Sequence, residues 1–139
     1  GYPGMKVLEF AFDSRDSGCA SDYLPHNYPE NCVAYTGTHD NETLLGYFDS
    51  LPEKGYTYLQ DYTGVKKREE LADAVIRLAY QSVADTVILQ MQDILKKDND
   101  ARMNLPSTIG QNWRWRLKKE EFGEKQIAFL AKLADIYHR

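Results

Sequence analysis

A short apolar run that ends in a His–Asp pair and passes at once into a helical pattern most constrains the fold of this chain. The run is CVAY at residues 32–35, His39 and Asp40 follow it, and residues 42–48 have helical periodicity. A run this short, containing valine and tyrosine, favours a buried strand. Barrels of parallel strands and helices present their functional groups at the carboxyl ends of the strands. The stretch therefore predicts a strand–helix unit with His39 and Asp40 at its functional end.

The rest of the chain alternates in the same way. Strands are predicted at residues 7–12, 31–36 and 85–91, helices at 42–48, 66–84 and 119–137, and loops or connectors at 13–30, 51–65 and 96–110. Strands that alternate with helices pair in parallel through right-handed crossovers. Three strands cannot close a barrel, which takes eight strands and about 250 residues. The predicted fold is α/β, a partial (β/α)8 TIM barrel with long loops, forming a single incomplete domain over residues 1–139.

Two of the predicted helices carry an apolar stripe that should face the core. In the helix at 66–84 the stripe consists of Leu71, Val75, Leu78, Ala79 and Val83. In the last helix it consists of Phe122, Ile127, Leu130, Ala131 and Ala134.

Composition excludes several function classes. A net charge of −4 and a pI near 5.4 argue against nucleic acid as the main partner. No apolar stretch approaches the roughly 20 residues that span a bilayer, and no leader pattern opens the chain. Cys19 and Cys32 are the only cysteines, which favours reduced thiols and a cytoplasmic location. No metal-binding cluster or cofactor motif is evident, so neither a metal nor a cofactor is expected.

Six segments, in this order, resemble the carboxyl-terminal third of the amylomaltases, also called 4-α-glucanotransferases or disproportionating enzymes. They are YPGMKVLEFAF (2–12), YLPHNY (23–28), YTGTHDNET (35–43), QDIL (92–95), ARMNLP (101–106) and NWRWRL (112–117). One departure is Ser107, where the family usually has glycine, the residue that adopts φ > 0 most easily.

The resemblance implies the last three strands of the barrel and retaining transfer of α-1,4-glucan segments between maltooligosaccharides. Retaining enzymes use a carboxylate nucleophile and an acid/base about 5–5.5 Å apart. In the family these two groups lie upstream of the matching segments, so this chain alone is predicted to be inactive. Asp40 matches a third, catalytic carboxylate that stabilises the transition state, and His39 and Asn104 match substrate-binding residues.

Each of these residues also has a structural interpretation. Asp40 lies just before a helix, where aspartate is a favoured N-cap. His39 and its acidic neighbours could ligate a metal, although their spacing matches no common zinc pattern. Trp113 and Trp115 alternate with Arg114 and Arg116, a pattern that could stack on sugars or bind nucleic acid. The favoured interpretation is structural, because an extended segment would put both indoles on one side, packed under the last helix.

Two other functions remain open from the sequence. One is a glycoside hydrolase of the α-amylase superfamily, and the other is a glucan-binding module without catalysis. If the chain folds in isolation, its uncovered strand edges and apolar face predict self-association.

Overall fold

Three parallel strands form the sheet, in the order β1-β2-β3. The computed structural model describes residues 1–13 and 20–139, with β1 at Gly4–Val7, β2 at Cys32–Tyr35 and β3 at Thr86–Ile88. The register pairs Val7 with Tyr35 and Tyr35 with Ile88. The parallel α/β architecture is confirmed. The strand predicted at 7–12 is displaced, because β1 ends at Val7 and the chain turns into a 3-10 helix at Leu8–Phe10.

In the described part of the chain, five α-helices accompany the sheet. They are α1 at Leu44–Ser50, α2 at Glu53–Thr63, α3 at Arg68–Gln81, α4 at Met91–Ile94 and α5 at Glu124–Tyr137. Helices α1 and α3 confirm the predictions, and Leu71, Val75 and Ala79 of α3 are buried as expected. Val83 is 56% exposed because α3 has already ended.

Helix α2 corrects the prediction of a connector at residues 51–65. Its proline and glycines, which suggested a loop, have specific places in a helix. Pro52 is the N-cap residue and Gly64, at φ 74°, is the C-cap. Gly55 lies against the backbone, since a Cβ there would be 2.4 Å from the carbonyl oxygen of Phe12. Fully buried Leu59 anchors the helix in the core.

Helix α5 begins later than predicted and is rotated relative to the predicted stripe. Leu133 is fully buried, whereas Ile127 is 53% exposed and Ala131 is also exposed. The face that meets the core carries Phe129, Leu133 and Tyr137, which are spaced four residues apart. Apolar residues surround much of this helix, so periodicity alone favoured the wrong stripe.

The two faces of the sheet differ. Cys32 and Ala34 of β2 are fully buried in the core that the helices share. On the opposite face, Met5 is 57% exposed and Ile88 47% exposed. We call this second surface the open face.

Part of the predicted loop at 13–30 lies outside the described residues, as does Cys19. The described part of that loop contains 3-10 turns at Ala20–Tyr23 and Pro25–Asn27. The thiol of Cys32 is buried and free. Among the described residues, no helix is both long and apolar enough to cross a membrane.

Candidate active site

The loop after β2 presents His39 and Asp40 from a tight turn. Asn41 Oδ1 accepts hydrogen bonds from both the backbone N–H and the hydroxyl of Thr38, each at 2.8 Å. The N–H of Asn41 donates back to the Thr38 carbonyl at 3.1 Å. A turn closed by an asparagine side chain in this way fixes the backbone of the two residues between.

The loop after β3 brings Asn104 to the same place. Asn104 Nδ2 donates to Asp40 Oδ1 at 2.7 Å, and His39 Nε2 lies 3.3 Å from that same oxygen. The backbone N–H of Asn104 also donates to the carbonyl of His39 at 3.0 Å. All three predicted site residues therefore meet, although Asn104 is separated from Asp40 by 64 positions in the sequence.

Arg102 joins the two loops through their backbone. Its Nη2 donates to the carbonyl of Asp40 at 2.5 Å, and its Nε donates to the carbonyl of Asn104 at 3.0 Å. The planar guanidinium holds several donors in fixed directions, which suits it to bridging two acceptors. Arg102 thus positions the residues whose side chains form the Asp40–Asn104 contact. Sequence reasoning assigned Arg102 no role, because every residue has a backbone carbonyl and a contact with one requires no particular partner residue.

Asp40 does not cap α1. The N-cap is Thr43, whose hydroxyl accepts from the N–H of Gly46 at 3.3 Å. The side chain of Asp40 is 47% exposed, and among the described residues its Oδ2 accepts no hydrogen bond. The carboxylate can therefore accept hydrogen bonds from a ligand.

Trp113 lies beside His39, which corrects the prediction that it packs under the last helix. The two ring centroids are 5.0 Å apart and Trp113 is 51% exposed. Its φ of 64° breaks the extended alternation that the prediction assumed. The backbone N–H of Trp113 donates to the carbonyl of Met103 at 2.6 Å. Trp115, by contrast, is half-buried.

Two buried acidic residues, Asp93 and Glu9, pack against the loop after β2. Asp93 accepts from the hydroxyl of Thr36 and from the N–H of Leu44, both at 2.8 Å, and burial raises its pKa to about 6. Burial, together with the nearby Asp93, also raises the pKa of Glu9 well above its ordinary value. Glu9 Oε2 is buried without a hydrogen-bond partner. A Cβ at Gly37 would lie 1.8 Å from that oxygen, so a larger residue there would require the Glu9 side chain to move.

A cavity of about 370 Å³ extends from this loop onto the open face. Its lining includes Tyr35, His39 and Asp40 on one side, and Met5 and Ile88 on the other. The catalytic candidate thus borders open space and is not enclosed in the core. Within the described ranges, no group of three acidic, histidine or cysteine side chains is arranged to hold a metal ion.

The sequence and the structure agree on His39, Asp40 and Asn104 as one cluster. Arg102 and Glu9 are the residues that sequence reasoning left without a role. For Glu9 a signal existed, because a single carboxylate in the apolar run at residues 7–12 is costly to bury and calls for an explanation.

Comparisons with known proteins point to one family. Residues 1–121 match the 4-alpha-glucanotransferase family. An amylomaltase from Streptococcus agalactiae, solved in complex with acarbose, superposes with a TM-score of 0.91 and 43% identity over 99% of this chain and 28% of that one.

Named relatives give the same result. A 4-alpha-glucanotransferase of Clostridium butyricum is 44% identical over all of this chain and 28% of its own length. A chloroplastic/amyloplastic 4-alpha-glucanotransferase of Solanum tuberosum is 41% identical over 96% of this chain and 23% of its own length. The fold is that of part of an amylomaltase structure, and the chain belongs to the 4-alpha-glucanotransferase family. It spans 23–28% of the length of these matched proteins.

Proposed function

We propose that residues 1–139 form the carboxyl-terminal third of a 4-α-glucanotransferase barrel, including its last three strands, and hold the sugar at the site of reaction. The observation that carries the proposal is the convergence of Asn104 and His39 on one oxygen of Asp40, beside a cavity on the open face. In a closed barrel the remaining strands would pair at the edges of this sheet, and the open face would line the interior. The matched amylomaltase, solved in complex with acarbose, supports the same interpretation.

In the proposed reaction an α-1,4-glucan is cleaved with retention through a covalent glycosyl-enzyme, and a sugar hydroxyl of the acceptor resolves it. The nucleophile and the acid/base belong to other strands of the barrel. Asp40 accepts hydrogen bonds from hydroxyl groups of the reacting glucose at Oδ2, while Asn104 holds Oδ1 in place. The negative charge of Asp40 stabilises the oxocarbenium-like transition state, because a preorganised charge has most effect where opposite charge develops during the reaction. His39 hydrogen-bonds the same sugar.

An activity assay on two proteins tests this assignment. The full-length enzyme that contains this sequence should convert maltotriose into glucose and a ladder of longer glucans. Residues 1–139 alone should give no product, because the nucleophile and acid/base are supplied by the rest of the barrel. Transfer by the isolated segment would refute the proposal that the rest of the barrel supplies the nucleophile and the acid/base. Glucose as the sole small product of the full-length enzyme would show a hydrolase instead.

Two further predictions concern the surroundings of the protein. A cytoplasmic location remains a prediction from composition, and the Solanum tuberosum relative is named as a plastid protein. Self-association of the isolated segment through its strand edges or apolar faces also remains a prediction. Light scattering that shows a stable monomer would contradict it.

A further inference from the structure

Trp113 combines features that a purely structural tryptophan does not need. About half of its surface is exposed, beside a histidine that contacts the catalytic candidate. Its backbone lies in the left-handed region, at φ 64°, which is unfavourable for a bulky residue. Strained backbone of this kind persists where the surroundings impose it, and it is concentrated at functional sites.

Hydrogen bonds hold the strained residue from both sides. The N–H of Trp113 donates to the carbonyl of Met103 at 2.6 Å, and its own carbonyl accepts from Arg116 Nη1 at 2.8 Å. The preceding residue, Asn112, accepts from the N–H of Leu105 at 2.9 Å and donates to Thr108 Oγ1 at 3.0 Å. The indole is therefore presented on a braced loop, and little ordering entropy remains to be lost when a ligand binds.

We propose that Trp113 is a sugar-stacking platform for the glucose unit next to the one that Asp40 holds. The inference rests on the proposed function and adds a specificity-determining residue to it. His39 is close to both residues, since its Nε2 lies 3.3 Å from Asp40 Oδ1 and its ring centroid lies 5.0 Å from that of Trp113. Indole faces are broad, apolar and rigid, and they stack against the apolar face of a pyranose ring at low entropic cost. The next glucose of the glucan would therefore stack on the flat apolar face of the indole, beside the glucose that Asp40 binds.

The alternative role for Trp113 is to position His39, and kinetics separate the two roles. A platform that binds substrate and transition state equally affects KM, whereas a group needed only in the transition state affects kcat. Alanine substitution at stacks between aromatic residues and planar ligands gives losses that correspond to about ten- to hundred-fold in affinity.

The experiment compares three variants of the full-length enzyme with maltotriose and with maltoheptaose. Trp113→Ala should raise KM about ten- to hundred-fold with kcat within about three-fold. Trp113→Phe should recover most of the loss, because a smaller aromatic face remains. Ile109→Ala is the matched control, since Ile109 is fully exposed on the same loop, and it should behave as the wild type.

An unchanged KM in Trp113→Ala, or a fall in kcat without a rise in KM, would refute the proposal that Trp113 stacks on the sugar. So would an equal loss in Ile109→Ala. If the wild-type enzyme shows no transfer, the proposed function fails. Calorimetric titration of the same variants with acarbose then tests Trp113 by itself, and equal affinities in Trp113→Ala and wild type would refute its role.

Discussion

Replacing Asp40 with asparagine separates catalysis from stability at this site. The substitution removes the negative charge and keeps the shape and one carbonyl oxygen. That oxygen can still accept the hydrogen bond that Asn104 Nδ2 now donates to Asp40 Oδ1 at 2.7 Å. Because Thr43 and not Asp40 caps α1, no helix end is disturbed.

The two expected effects differ greatly in size. A hydrogen bond to a charged group is worth about 1.5–3 kcal/mol and a neutral one about 1 kcal/mol, and solvent screening at this half-exposed carboxylate shrinks the difference. Asp40→Asn should therefore cost under about 1 kcal/mol of stability, a fall of a few degrees or less in Tm. Loss of one preorganised electrostatic contact in a transition state typically costs about 10²–10³ in kcat.

The assay pairs thermal unfolding with initial rates of disproportionation in the full-length enzyme. Thr43→Ala is the matched control, because it removes the N-cap of α1 and leaves Asp40 charged. Loss of such a cap costs about 0.5–2 kcal/mol, so this variant should lose stability and keep kcat near the wild-type value. Retained activity in Asp40→Asn would refute the catalytic assignment. A Tm loss as large as that of Thr43→Ala would refute the conclusion that Asp40 has no capping role.

Two smaller predictions follow from backbone strain and from buried charge. Ser107 sits at φ 65°, so Ser107→Gly should stabilise the protein by roughly 0.5–1 kcal/mol in urea unfolding, after the entropic cost of glycine. Ser107→Ala keeps the strain, and a gain equal to that of glycine in this control would refute the reasoning. For Asp93, whose pKa burial raises from 3.8 to about 6, the folded state holds the proton more tightly than the unfolded state. Its contribution is therefore fully present below about pH 4 and is lost as the pH rises through 6, amounting to about 3 kcal/mol. The stability difference between wild type and Asp93→Asn should change across that window, and a constant difference from pH 4 to 7 would contradict the raised pKa.

Sequence patterns predicted β2 and β3, because each lies in a short apolar run between polar segments, but they placed the first strand at 7–12, whereas β1 ends at Val7. They failed for α2, where Pro52 and Gly55 resembled loop punctuation. In the structure the proline caps the helix and the glycine permits contact with the backbone at Phe12. Proline and glycine interrupt helices, but they are also used at helix ends and at close contacts between elements. Composition alone therefore cannot distinguish these roles unless the neighbouring element is known.

The site was predictable to the extent that side chains identify it. His39 and Asp40 stand out at the end of a strand, and Asn104 was recognised by its resemblance to a known family. Arg102 was not recognised, because it acts on backbone carbonyls that every residue has. The position of Trp113 depends on a φ of 64°, which no local pattern of Trp and Arg encodes.

The contact between Gly37 and Glu9 has a consequence for engineering this cleft. Libraries meant to change chain-length preference should leave position 37 untouched, since a side chain there would displace the buried Glu9 carboxyl beneath the site. Ile109 is a better place for diversity. Its side chain is fully exposed and lies outside the hydrogen bonds that join Asn112 to Leu105 and Thr108, so selection there can change the rim of the cleft while the loop keeps its bracing.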